Sequence, residues 1–256
     1  MSSSLSVSSS TPPVRVALVG YGSMGKELER LAPQYGCAVQ HIFTHERPLS
    51  GAAESELVFD VAIDFSVPSA VPENVRFLAE RGKQIVLGTT GWMQDMERLA
   101  GIIRQSNIGL VWGTNFSVGV QIFSHLVRLA GEFASRFEDY DVALHELHHT
   151  RKIDSPSGTA LSLAKILQEA VPHKTSLEVD ASHGRIDPSV LHVSSTRVGE
   201  TPGTHTVYLD SLPDTIELTH RARNRSGFAI GALRTATWIG GKQGMMEFSE
   251  IFSQLR

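Results

Sequence analysis

Apolar residues follow two rhythms along this chain, and the change between them divides it. In the first part, short apolar runs of strand length alternate with stretches that repeat every three to four residues. Val14–Val19 is a strand by this measure. Met24, Leu28, Leu31 and Ala32 then recur at helical spacing. Strands follow at 38–44, 60–65, 84–87 and 108–112, with helices at 73–80 and 93–104 between them. Strands alternating with helices predict a parallel sheet covered on both faces.

The second rhythm begins at residue 118. The spacing predicts one long apolar helix over 118–134, a strand over 141–147 and a helix over 159–170. From 176 to 219 come β-rich pieces with no helix between them, among them 190–198 and 204–209. That is the pattern of a mixed α+β domain with a mostly antiparallel sheet. Residues 228–239 turn helical again. The expected organisation is a disordered Ser-rich tail (1–13), a Rossmann-like dinucleotide domain (14–117) and a substrate-binding and oligomerisation domain (118–227). Residues 228–256 should pack back on the dinucleotide domain.

Composition narrows the function. A net charge of −4 argues against a nucleic-acid partner. No apolar run reaches the roughly 18 residues of a membrane helix, so no membrane partner is expected. The single Cys37 offers no disulfide framework, which points to a reducing, cytoplasmic setting.

Gly20-Tyr21-Gly22-Ser23-Met24-Gly25 is a complete G-x-G-x-x-G between a strand and a helix. The first glycine permits the tight turn, the second admits a pyrophosphate, and the third lets helix and strand approach. Residues after the second strand should select the cofactor. Glu46 could bind ribose hydroxyls, whereas Thr44, His45 and Arg47 could accept a 2′-phosphate, so NADH and NADPH both stay open. Gly88-Thr89-Thr90 and Gly113-Thr114-Asn115-Phe116 also follow strands of this sheet. Ligands of open parallel sheets sit beyond the carboxyl ends of the strands, so these loops are expected at the nicotinamide end.

The densest polar stretch runs from Glu146 to Ala160 and holds His148, His149, Lys152, Asp154 and Ser157-Gly158-Thr159. His145-Glu146-Leu147-His148-His149 matches H-E-x-x-H, a zinc pattern that needs a helix. The alternation here is that of a strand, so no metal is expected. Structural histidines are the bland reading, which the adjoining lysine and hydroxyl-rich turn make less apt. As a site, His148 and His149 stand where strand gives way to loop. Histidine suits proton transfer near neutral pH. Lys152 adds a donor, and the helix start at Ser157, Gly158 and Thr159 suits a carboxylate. Proton donors, an anion pocket and a dinucleotide domain together describe hydride reduction of a small acidic substrate.

The stretch Glu146-Leu147-His148-His149, then Lys152, Asp154 and Pro156-Ser157-Gly158-Thr159-Ala160, resembles the signature of the 4-hydroxy-tetrahydrodipicolinate (dihydrodipicolinate) reductase family. Asp64-Phe65-Ser66 with Pro68, Gly88-Thr89-Thr90-Gly91, Asn115–Val120, Arg197-Val198-Gly199-Glu200 with Pro202-Gly203, and Thr219-His220-Arg221-Ala222 extend the resemblance. It implies NAD(P)H-dependent reduction of a cyclic dicarboxylate at ring carbon four, with loss of water, in lysine and diaminopimelate biosynthesis. It implies His148 and Lys152 as catalytic groups, His149 as a substrate contact and a carboxylate held by Gly158 and Thr159. It also implies a homotetramer. Glu146 shares a strand face with His148 and either orients it or pairs elsewhere. The family often carries a basic residue where this chain has Ser23, which again leaves the choice of NADH or NADPH open.

Overall fold

The computed structural model describes residues 12–179 and 181–255. Most of the Ser-rich segment, residues 1–11, lies outside the described residues. The chain divides into two units, Met1–Phe116 with Phe228–Arg256, and Ser117–Gly227.

The first unit is built on six parallel strands: β1 (Val14–Val19), β2 (Cys37–Phe43), β3 (Val61–Asp64), β4 (Gln84–Leu87), β5 (Gly109–Trp112) and β11 (Gly244–Glu247). Their order is β11-β5-β4-β3-β1-β2. The period-2 alternation of each strand feeds two cores. Ala17, Val19, Ala62, Ile85 and Leu87 face one core, which α2 (Val71–Glu80) and α3 (Met96–Ser106) cover with Val75, Leu78, Leu99 and Ile103. Val16, Leu18, Ile63, Val86 and Val111 face the other. There α1 (Ser23–Leu31), α6 (Ser226–Trp238) and the short α7 (Phe248–Ile251) supply Leu28, Leu31, Ala229, Leu233 and Phe248. Both faces are covered, as an apolar parallel sheet requires.

Two details differ from the sequence reading. The helix expected from Met93 opens with a 3-10 turn over Met93–Asp95 and becomes α only at Met96. The sixth strand, β11, had no counterpart in the sequence reading. All four of its residues are half-buried, so it lacks the buried apolar run that marks the equally short β3, β4 and β5.

In the second unit α4 (Val118–Ala134) and α5 (Gly158–Ala170) lie on one face of a five-stranded sheet. Its strands are β6 (Asp141–His148), β7 (Ser176–Glu178), β8 (Val190–Arg197), β9 (Thr204–Asp210) and β10 (Thr215–Arg221), in the order β10-β9-β6-β8-β7. The longer ladders, β10–β9 and β9–β6, are antiparallel, while β8 joins β6 and β7 in parallel. Val142, Leu144, Val193 and Val207 meet Leu163, Leu167, Phe123 and Val127 in one core. A Cβ on Gly131 would lie 3.0 Å from that of Ala170, so the glycine lets α4 and α5 come close.

Candidate active site

In the first unit the residues expected to hold a cofactor lie in the segments that follow the carboxyl ends of β1, β2, β4 and β5, with Ser23, Met24 and Gly25 opening α1. After β1, Gly20 has φ +90°, and a Cβ there would sit 2.4 Å from the Phe65 carbonyl oxygen. A Cβ on Gly25 would sit 2.5 Å from the Gly20 carbonyl oxygen. Both glycines are required by the backbone itself. Gly22 differs: a Cβ there meets nothing within 4 Å. Gly22 caps α1 and has no side chain to cover the start of the helix. Ser23 is exposed, Met24 packs on the core below, and the Tyr21 hydroxyl donates to Glu29.

After β2, the Thr44 backbone N–H donates to the Arg47 carbonyl at 3.0 Å, and Thr44 Oγ1 accepts from the Arg47 N–H at 3.3 Å. This turn presents His45, Glu46 and Arg47 to solvent, with the Arg47 guanidinium on Glu56. After β4, a Cβ on Gly88 would strike the Phe65 ring; Thr89 is buried and Thr90 exposed. After β5, Thr114 is exposed, while Gly113 and Phe116 are buried. The Phe116 ring packs 4.6 Å from Phe248, so only its backbone stands at the strand end.

The sequence reading assigns no role to Asp64, which ties the turn after β3 to the loop after β4. Asp64, fully buried at the end of β3, accepts from the Ser66 N–H (2.9 Å), Asn74 Nδ2 (2.9 Å) and Thr89 Oγ1 (3.0 Å). Burial pushes its pKa up, and the hydrogen bonds oppose that shift.

In the second unit, strand alternation decides what the histidine segment can do. Val142, Leu144, Glu146 and His148 are buried, whereas Ala143, His145 and Leu147 on the opposite face are half-buried. His145 Nδ1 meets Ser194 Oγ at 2.8 Å. The zinc pattern is therefore split, because Glu146 faces away from His145. The strand ends at His148, and His149 opens the loop.

Glu146 is the centre of the buried side. Both its oxygens accept from the Ser157 backbone N–H at 3.1 Å. Oε1 also accepts from Ser195 Oγ at 3.0 Å and Arg197 Nη2 at 2.9 Å. Oε2 lies 3.3 Å from His148 Nδ1, a nitrogen that makes no hydrogen bond, and 3.7 Å from His205 Nε2. Burial opposes the ionised form of Glu146, but the hydrogen bonds from Ser157, Arg197 and Ser195, with His205 close by, outweigh it and hold the carboxyl far below the usual range. Burial pushes the His148 imidazole down to about 4, against the pull of Glu146 and helped by His205, Lys152 and Arg197. His148 is thus neutral at pH 7. Glu146, His148 and His205 bring three donor atoms within 4.8 Å of one another. The Arg197 guanidinium already compensates that carboxylate, which disfavours a cation among them.

Ser157 caps α5, its Oγ accepting from the Ala160 N–H at 3.1 Å and meeting His205 Nε2 at 3.2 Å. Gly158 is exposed, and a Cβ on it would meet nothing within 4 Å. Thr159 is half-buried behind it. Lys152 Nζ donates to both oxygens of Asp154, at 2.7 and 3.0 Å. Lys152, with a smaller share from the Gly158 N–H, holds the Asp154 carboxyl below its usual range. So His148 and Ser157 meet through Glu146, and Lys152 is held on Asp154. His149 joins neither group, and its Nδ1 is buried without a hydrogen bond.

Sequence reasoning gave no role to Ser195, Arg197 and His205. Their signal is register: β8 sets Ser195 opposite Glu146 and Arg197 opposite His148, and β9 sets His205 opposite Glu146.

The chain matches the family described as "Dihydrodipicolinate reductase, N-terminus" over residues 14–116 and "Dihydrodipicolinate reductase, C-terminus" over residues 119–252. A 4-hydroxy-tetrahydrodipicolinate reductase of Christiangramia forsetii is 33% identical over 94% of this chain and 99% of its own length. One from Methanocorpusculum labreanum is 42% identical over 75% of each chain. Among solved structures, a dipicolinate-bound dihydrodipicolinate reductase from Paenisporosarcina sp. TG-14 superposes with a TM-score of 0.75. It covers 93% of this chain and 99% of its own at 20% identity, a likeness of fold. With both halves matched by family and 94% of the chain shared with one such relative, the chain belongs to the dihydrodipicolinate reductase family.

Proposed function

We propose that this chain is the NAD(P)H-dependent enzyme that reduces 4-hydroxy-tetrahydrodipicolinate to tetrahydrodipicolinate, with loss of water, in lysine and diaminopimelate biosynthesis. The observation that carries the residue assignments is the meeting, in one unit, of a buried imidazole, a lysine and an open helix start.

A dinucleotide fits the first unit, because Gly22 leaves open space at the start of α1. Gly20 to Gly25 would take the pyrophosphate, and Gly88, Thr89, Thr90, Gly113, Thr114, Asn115 and the Phe116 backbone would flank the nicotinamide. When bound, the nicotinamide supplies hydride for ring carbon four. We assign dual cofactor use, since the turn after β2 presents Glu46 for ribose hydroxyls beside His45 and Arg47 for a 2′-phosphate. Parallel calorimetric titrations should give affinities for NADH and NADPH within about tenfold, or 1.4 kcal/mol. A hundredfold gap overturns dual use.

In the second unit, Ser157, Gly158 and Thr159 receive one substrate carboxylate at the start of α5. Lys152 turns from Asp154 toward the substrate. His149 contacts the ring. His148, neutral at rest, is drawn toward its protonated form by the negative charge of an incoming dicarboxylate and exchanges the proton with the ring. The assay is oxidation of NADH or NADPH on adding 4-hydroxy-tetrahydrodipicolinate. His148→Gln should lower kcat by about 100-fold or more while cofactor binding persists. Unchanged turnover in that variant refutes the role of His148.

The same resemblance supports a homotetramer assembled through the sheet of the second unit, to be checked by light scattering. It also supports a cytoplasmic enzyme, in keeping with the lone, buried Cys37.

A further inference from the structure

The Glu146 carboxylate accepts from Ser157, Ser195 and Arg197, yet nothing in the reaction requires it to touch substrate. It is 0% exposed and ionised. A buried carboxylate is costly to keep, and its pairing with an arginine seldom stabilises a fold more than apolar packing in the same place. Its partners come from four places. Ser195 and Arg197 are on β8, His205 is on β9, Ser157 caps α5, and His148 shares β6. The Arg197 Nη2 that meets Glu146 also donates to the Asp154 carbonyl oxygen at 2.7 Å. The ion pair therefore holds the middle of the loop that carries Lys152 through Arg197 and its far end, at Ser157, through Glu146. Gly203 bounds the other side of His148: a Cβ there would come within 2.9 Å of His148 Nε2. The ring is held between a glycine that leaves it room and a carboxylate beside Nδ1.

We propose that Glu146 is the positioning residue of this reaction. With Arg197 as its counter-charge, it holds His148, the Lys152 loop and the start of α5 in one arrangement, and it provides the charge that favours a proton on His148. When His148 takes up that proton, Nδ1–H, now 3.3 Å from Oε2, closes to a charge-assisted bond, and Nε2 is the nitrogen left to exchange with substrate.

The inference rests on the reductase reading, and the two are separable. The charged and titratable groups around His148 are Glu146 on its own strand, Lys152 in the loop, Arg197 on β8 and His205 on β9. Glu146 raises the His148 titration; the other three lower it. The two halves of the ion pair thus predict opposite shifts, which a merely structural role does not. Histidine-selective NMR of the full chain should place the wild-type His148 midpoint at about 4. Glu146→Gln should move it lower and cut kcat by about 100-fold, the scale of a lost general acid. Arg197→Gln should move it higher, and Arg197→Lys, which keeps the charge, should return it to the wild-type value. A Glu146→Gln midpoint equal to wild type, with kcat within threefold, overturns the proposal. If Glu146→Gln does not fold, the arginine pair decides: equal midpoints in Arg197→Gln and Arg197→Lys overturn it. If wild type fails to reduce the dicarboxylate, the reductase reading falls, whereas the opposed shifts still judge Glu146.

Discussion

Gly20 and Gly22 stand two positions apart in one turn and answer to different constraints. Gly20 has a positive φ and backbone where a Cβ would be, so alanine is both strained and blocked. Gly20→Ala should cost roughly 2 kcal/mol or more of stability, read as a lower denaturant midpoint at unchanged m. Gly22 has free space around it, and alanine is only a poorer cap there, at a cost of no more than about 1 kcal/mol. Its methyl would stand where the pyrophosphate is assigned. Gly22→Ala should therefore keep its midpoint nearly unchanged and bind NADPH about tenfold or more weakly, by calorimetry. Equal affinity would move the pyrophosphate elsewhere. The sequence pattern distinguishes these roles only by position in the motif, because a tight turn and a close approach are both consequences of lacking a Cβ. It cannot show that Asp64 ties Ser66 to Thr89, since those residues meet only once β3 and β4 lie side by side.

The start of α5 poses the same question for an element. Ser157 serves the helix, through the Ala160 N–H, and Gly158 leaves open space. Ser157→Ala should lower stability by about 1 kcal/mol, the usual worth of a cap, and release His205. Gly158→Ala should leave the melting temperature unchanged or slightly raised and increase KM for the dicarboxylate about tenfold, by thermal melts and steady-state kinetics. A KM unaffected by that methyl would remove the carboxylate from the helix start. Elements of this kind are legible because their signals are local. The alternation of 141–147 and the Ser-Gly-Thr after a proline place strand, loop and helix start within a residue of where they form. β11 is not legible, being four half-buried residues paired to a distant strand. Nor are the partners of Glu146: Arg197 reaches it only through the β6–β8 register, about 50 residues along the chain.

At the scale of the whole molecule, the two units carry buried titratable groups of opposite sign. In the second unit the His148 midpoint falls from 6.5 to about 4 on folding. The unfolded chain therefore binds the proton first as pH drops. Stability from this group is fully present above about 6.5 and is lost as pH falls toward 4, about 2 kcal/mol of it by pH 5. Glu146, whose carboxyl is depressed, acts in the same direction at still lower pH. In the first unit Asp64 is raised, so there the folded state binds the proton first and acid favours it. Acidification should weaken the two units unequally. Hydrogen exchange, corrected for the intrinsic pH dependence, should show β6 amides losing protection relative to β3 amides between pH 7 and pH 5. His148→Gln should abolish most of that difference, because the side chain that titrates is gone. Equal loss of protection in β3 and β6 would mean that His148 is not buried against its proton as the geometry around Glu146 and Gly203 requires.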